Sequence, residues 1–159
     1  MIQSIQRLTD MGWTGRRWYT ACSTFRMAHT YKELSVWQLA DELRHHIVRI
    51  TAAGGGAADR DFARDIRRSA RSVPANVAEG FGRFDPPDFH RFLKIAKASL
   101  DETENHLADG LASGIFASAE HAAAQTLVKR TTAQLTSLMR YLRTVEAKQK
   151  AAALTRRTS

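Results

Sequence analysis

The chain has 159 residues, 43 % of them hydrophobic, and a formal net charge of +8. That length suits one domain with a real core, and the single cysteine, Cys22, excludes an internal disulfide framework and a cysteine-built zinc site. No apolar run approaches the roughly 18 residues of a membrane span, and no signal-peptide pattern opens the chain, so a cytoplasmic protein of bacterial type with no membrane partner is expected.

The first 30 residues read as an N-terminal extension. Trp13, Trp18, Tyr19 and Phe25 follow neither helical nor alternating spacing, and Gly12 and Gly15 interrupt any helix begun at Ser4. Met27 is the expected initiator, with the upstream residues an over-extended start; the alternative is a disordered arm or a small cap over an apolar patch. Much of the charge lies at the ends. Residues 1–26 hold four arginines against Asp10, and residues 148–159 hold Lys148, Lys150, Arg156 and Arg157 without an acid. Residues 27–147 are left with a net charge of only +1. The segment 148–159 is expected to be a disordered basic tail, able to bind polyanions by counterion release or merely to solubilise.

Between the ends, over residues 31–147, four helices are predicted. The first runs over 35–51, with Ser35 as N-cap and Val36, Leu39, Ala40, Leu43, Ile47 and Ile50 as one apolar stripe. Gly54-Gly55-Gly56 ends it. The second starts at Asp59 and carries Phe62, Ile66, Ala70, Val73, Val77 and Phe81. Pro74 interrupts it, but the stripe keeps its phase, which predicts one helix kinked near 70–73. Gly80 and Gly82 are read as its terminators. Asn76 is expected to bond the carbonyl that Pro74 leaves without a donor, and Glu79 and Arg83 form an i, i+4 pair.

The third helix opens at Asp85-Pro86-Pro87, an acidic cap followed by proline in the first turn. Phe89, Phe92, Leu93, Ala96, Leu100, Thr103, Leu107 and Leu111 form its stripe, and Gly114 stops it. The fourth runs from about Ser118 to about Ala147 on Ala124, Leu127, Val128, Thr131, Leu135, Leu138, Leu142 and Val145. Short connections make sequential neighbours antiparallel, so the expected fold is an all-α, antiparallel up-down-up-down four-helix bundle. Ile95, Met139 and Tyr141 lie off the main seams, and alanines crowd residues 117–124, which points to self-association.

The strongest positive pattern is Arg64, Arg67, Arg68 and Arg71, at i, i+3, i+4 and i+7 on one helix face. Arginine's planar fork suits phosphate. A second basic line is Arg91, Lys94 and Lys97, preceded by Arg83. Both are candidates for binding RNA or DNA. The competing reading is ordinary ion pairing with Asp61, Asp65, Asp88 and Asp101. Metal ligation would need a second Glu-x-x-His pair to match Glu42-Leu43-Arg44-His45, and none exists. Glu102 and His106 lie at i, i+4 with Glu104 nearby, but their stripe neighbours are expected to be exposed. No cofactor, metal or catalytic residue is assigned.

Residues 67–83 read Arg-Arg-Ser-Ala-Arg-Ser-Val-Pro-Ala-Asn-Val-Ala-Glu-Gly-Phe-Gly-Arg. With Tyr31 to Ala40 before them and Arg91 to Leu100 after them, they resemble the four-helix-bundle family of proteins encoded in intervening sequences of bacterial large-subunit ribosomal RNA genes. The family is related to the accessory proteins of diversity-generating retroelements. The resemblance covers about residues 31–145. It implies a ring-shaped homopentamer around a central channel. Some relatives bind nucleic acid through a positively charged surface, and Arg67, Arg68 and Arg83 fall at basic positions of the family pattern. Ala98 stands where relatives often carry glycine. Many members have no assigned activity, and a genomically neighbouring protein can define the job. The expected function is therefore a non-enzymatic oligomeric scaffold or adaptor that binds RNA or DNA non-specifically through basic helix faces. The alternative is a protein-binding adaptor that uses an apolar groove or channel and has no nucleic-acid role.

Overall fold

The computed structural model describes residues 28–52, 59–83 and 85–158, with the side chains of all of these except 150 and 153–158. Met27 and everything before it, Cys22 included, and the Gly54-Gly55-Gly56 loop lie outside the described residues. Those described hold a single 3₁₀ turn, Tyr31–Glu33, and four α-helices: α1 Ser35–Thr51, α2 Arg60–Gly82, α3 Pro86–Ala112 and α4 Ser118–Thr158. No strand occurs among them.

Local chemistry sets most of the helix ends. Asp59 accepts from the Phe62 amide at 2.9 Å and Asp85 from the Asp88 amide at 3.0 Å, each satisfying a donor that the first turn leaves unpaired. Pro86 and Pro87 fill the first turn of α3, where no intrahelical donor is needed. α3 stops where Gly114 turns left-handed at φ +69°, a conformation glycine adopts without a Cβ penalty. Ser35 does not cap α1. Leu34 holds that position without a side-chain bond, and the Ser35 hydroxyl instead donates to Gln134 Oε1 of α4 at 3.1 Å.

α2 runs unbroken through Pro74, as the phase of its stripe predicts. Pro74 is itself buried. Asn76 serves a different carbonyl from the one expected. Its Nδ2 donates to the Ser72 carbonyl at 2.8 Å and lies 3.0 Å from Ser72 Oγ. A side chain at this position reaches back one turn, whereas the carbonyl freed by a proline at 74 lies six residues upstream. Gly80 is no terminator either. It is buried inside α2, and a Cβ there would sit 2.5 Å from Phe89 Cδ2 and 2.8 Å from Phe92 Cβ of α3.

The core is one cluster drawn from all four helices, including Leu43, Ile47, Ile66, Val73, Val77, Leu93, Leu100, Leu107, Leu135 and Leu142. Each helix packs on two others, in the closed order α1, α2, α3, α4 and back to α1. Between α2 and α3 the pairs Ser72 with Ser99 and Ser69 with Thr103 show that later residues of one helix meet earlier residues of the other. The same trend holds between α1 and α4, in Ser35 with Gln134 and His46 with the Glu120 carbonyl.

Three expectations about surface and length change. Met139 and Tyr141 pack against the core as half-buried groups, because α4 is covered on a wider arc than its main seam suggests. Leu111 is 37 % exposed and lies outside the core. The largest difference is that α4 continues to Thr158 rather than ending near Ala147, so the expected disordered tail is helix. Ala151-Ala152-Ala153-Leu154 is a run of strong helix formers with no glycine or proline to stop it.

Candidate nucleic-acid interface

The eight basic side chains singled out in the sequence are mostly engaged. On α2, Arg64 places Nη1 2.8 Å from Asp61 and Nε 3.5 Å from Asp65. Arg68 reaches across to Glu102 of α3 at 3.3 Å. Arg67 turns inward, where its Nε donates to Thr51 Oγ1 at 2.6 Å and ties α2 to the end of α1. Arg71 is exposed and has no hydrogen-bond or ion-pair partner among the described residues. The i, i+3, i+4, i+7 pattern therefore offers one unengaged cation.

The second line behaves similarly. Arg83 pairs with Glu79, and Lys97 with Asp101. Arg91 lies 3.6 Å from Asp88, and its guanidinium sits 4.5 Å from the centre of the Phe92 ring, with that of Arg83 at 5.4 Å. These exposed pairs are each worth roughly 0–1 kcal/mol. Phosphate can displace them at little energetic cost, but the carboxylates stay on the face and weaken its field. Lys94 is exposed and unpaired among the described residues. It stands beside His90, whose imidazole is pulled below its ordinary value first by burial, then by Lys94 and Arg143, with Glu146 opposing. Loss of stability from this group therefore begins as pH falls below the ordinary histidine value. Arg143→Gln is expected to raise the His90 midpoint in an NMR titration and Glu146→Gln to lower it; no movement in either would remove α4 from the histidine's surroundings.

Sequence reading overlooked a polar seam between α2 and α3. Ser72 Oγ and Ser99 Oγ are 2.9 Å apart, and Thr103 Oγ1 lies 3.0 Å from Ser69 Oγ and 2.8 Å from the Ser99 carbonyl. Ser69, Ser99 and Thr103 are buried, so each unpaired hydroxyl would carry a desolvation cost. The observed register satisfies all three, and the seam favours that alignment of the two helices. The signal was present as hydroxyl residues at three- and four-residue steps on the inner faces. His46 is another satisfied internal group. Nε2 faces the Glu120 carbonyl at 3.2 Å, which can only accept, so the proton is on Nε2 and Nδ1 accepts from Arg49 at 2.7 Å.

The residues weighed for metal ligation do not converge. Glu42 and His45 are exposed on either side of buried Leu43, while Glu102 stands 3.9 Å from His106 and is shared with Arg68. Among the described residues no group of three His, Cys, Asp or Glu could hold a metal. At one end of the helices, a half-open cleft of about 400 Å³ is lined by Ala28, Gly80, Phe81, Pro86, Phe89 and Leu142, with His29 and Asp85. None of the described helices is long and apolar enough to cross a membrane.

These features define a small all-α protein of four helices, its buried polar groups used for helix register and its surface charges largely paired. The chain belongs to the 23S rRNA-intervening sequence protein family, whose sequence profile matches residues 32–137. No curated protein matches it. The family match takes in α1 to α3 and stops inside α4.

Proposed function

We propose that this protein is a non-enzymatic, cytoplasmic scaffold whose four helices run up-down-up-down, whose copies close into a five-membered ring, and whose activity is to bind RNA or DNA without sequence preference. The observation that carries the nucleic-acid reading is the placement of charge. α4 holds eight lysines and arginines against Glu120 and Glu146, whereas residues 27–117 hold twelve against thirteen acids. An excess of basic residues of that kind attracts polyanions and releases their counterions.

The opposed order of the α2–α3 and α1–α4 contacts supports the antiparallel arrangement. Self-association is supported by Ile95, 41 % exposed, on the same face of α3 as exposed Ala98, and by the exposed Ala119, Ala122 and Ala123 of α4. Small side chains let a second copy approach closely. Because Ala98 faces outward, its extra methyl group bears on such a contact rather than on the bundle's own packing. The number five comes from the family resemblance and not from the packing.

The second reading, a protein-binding adaptor, is favoured by the apolar lining of the end cleft. Light scattering on the full chain at low salt, with and without a short single-stranded RNA, separates the two. The expected result is a mass near five chains that rises with RNA. A ring indifferent to RNA would put the adaptor reading ahead, and a monomer would overturn the ring.

A further inference from the structure

The nucleic-acid reading leaves open which surface does the binding, and the expected faces on α2 and α3 are poor candidates. Of their eight basic groups, Arg64, Arg68, Arg83, Arg91 and Lys97 face carboxylates, and Arg67 is turned onto Thr51. Among the described side chains the last buried one of α4 is Leu142, next to the start of α3, with Val145 and Glu146 half-buried after it. Sixteen residues of helix follow Leu142, about 24 Å at 1.5 Å per residue. Ala147, Lys148, Gln149, Ala151 and Ala152 are exposed. Beyond Leu142 the helix carries Arg143, Lys148, Lys150, Arg156 and Arg157 against Glu146 alone.

Two ordinary explanations fall short. Cations in a last helical turn complement the helix dipole, which accounts for Arg156 and Arg157. Lys148 and Lys150 lie about two turns or more before the end, outside that effect. By spacing, surface pairing with Glu146 is within reach of Arg143 and Lys150, three residues before it and four after it, but Lys148, Arg156 and Arg157 have no acid three or four residues away. Family membership does not account for the segment either, since the family match ends at residue 137.

We infer that the helical arm formed by residues 143–158 is the surface that grips nucleic acid, by contacting the phosphate backbone. This rests on the nucleic-acid reading above and relocates its site from the α2 and α3 faces to the arm. The helix sets the positions of these residues at about 1.5 Å per residue along its axis, without the ordering cost that a disordered tail would meet on binding. In an assembly of several copies, the arms would act together and multiply weak single contacts.

The test is fluorescence anisotropy with a labelled 30-nucleotide single-stranded RNA of mixed sequence, titrated at several salt concentrations. Three full-length chains are compared: the unaltered protein, the arm variant Lys148→Gln/Lys150→Gln/Arg156→Gln/Arg157→Gln, and the face variant Arg71→Gln/Lys94→Gln. Glutamine keeps helix propensity close to that of lysine and arginine, and circular dichroism checks that the helix persists. The arm variant is expected to bind at least about tenfold more weakly, with a salt slope shallower by up to about 3, at roughly 0.7 per lost phosphate contact. The face variant is expected to stay within about threefold of the unaltered chain. If the arm variant keeps its affinity while the face variant loses it, the arm inference is overturned and the nucleic-acid reading stands. If the unaltered protein does not bind RNA at low salt, both are overturned.

Discussion

Gly80→Ala is expected to destabilise the protein by about 1–2 kcal/mol although it replaces glycine with the best helix former inside a helix. The substitution gains about 1 kcal/mol of intrinsic propensity. Against this, the new methyl group would lie 2.8 Å from Phe92 Cβ, which is fixed to the backbone of α3, and 2.5 Å from the Phe89 ring. The ring can rotate, but the Cβ moves only if α3 moves. Overpacking of this kind costs about 1–3 kcal/mol, sometimes more. It also strains the Ser72–Ser99 and Ser69–Thr103 contacts, which depend on the same α2–α3 spacing. Gly80→Val, bulkier and β-branched, is expected to lose about 3 kcal/mol or more. Gly82→Ala is the control, because nothing lies within 4 Å of a Cβ there. It is expected to be neutral or slightly stabilising. Urea or thermal unfolding of the three variants checks this, and equal behaviour of Gly80→Ala and Gly82→Ala would show that the close approach does not exist.

Leu43→Ala is expected to cost about 2–5 kcal/mol, the range for emptying a fully enclosed leucine site. Leu43 is 0 % exposed at the middle of α1. At 17 residues α1 is the shortest of the four helices, and a helix of that length is marginal without its apolar face packed. The cavity would open where α1 meets α2 and α4, so little of it can collapse. Val48→Ala on the same helix, 39 % exposed, is expected to change stability by less than about 0.5 kcal/mol. Denaturant unfolding compares the two, and a Leu43→Ala loss below about 1 kcal/mol would contradict the core as described.

Much of this protein was legible as a pattern of residues. The apolar stripes of all four helices, the aspartate caps at Asp59 and Asp85, the Pro86-Pro87 start and the Gly114 stop depend on interactions within a few residues of the chain. Such interactions leave their mark in local spacing. The segment around Pro74 could also be read as continuous helix, because the apolar stripe on either side of it stays in phase.

What local order could not show was which side chains meet across helices. Gly80 reads as a terminator until Phe89 and Phe92 are placed against it, and Ser35 reads as a cap until Gln134 comes within reach. The four α2 arginines look equivalent in a helical projection, yet packing turns Arg67 onto Thr51, gives Arg68 the carboxylate of Glu102 and leaves Arg71 to solvent. The hydroxyl seam exists only when α2 and α3 are in register. Composition and spacing therefore determined the helices, their inner faces and the total charge, since each arises from neighbours along one chain. Tertiary structure alone decided that Arg67 turns onto Thr51 and Arg68 onto Glu102, and where two helices touch closely, since these depend on contacts between residues of different helices.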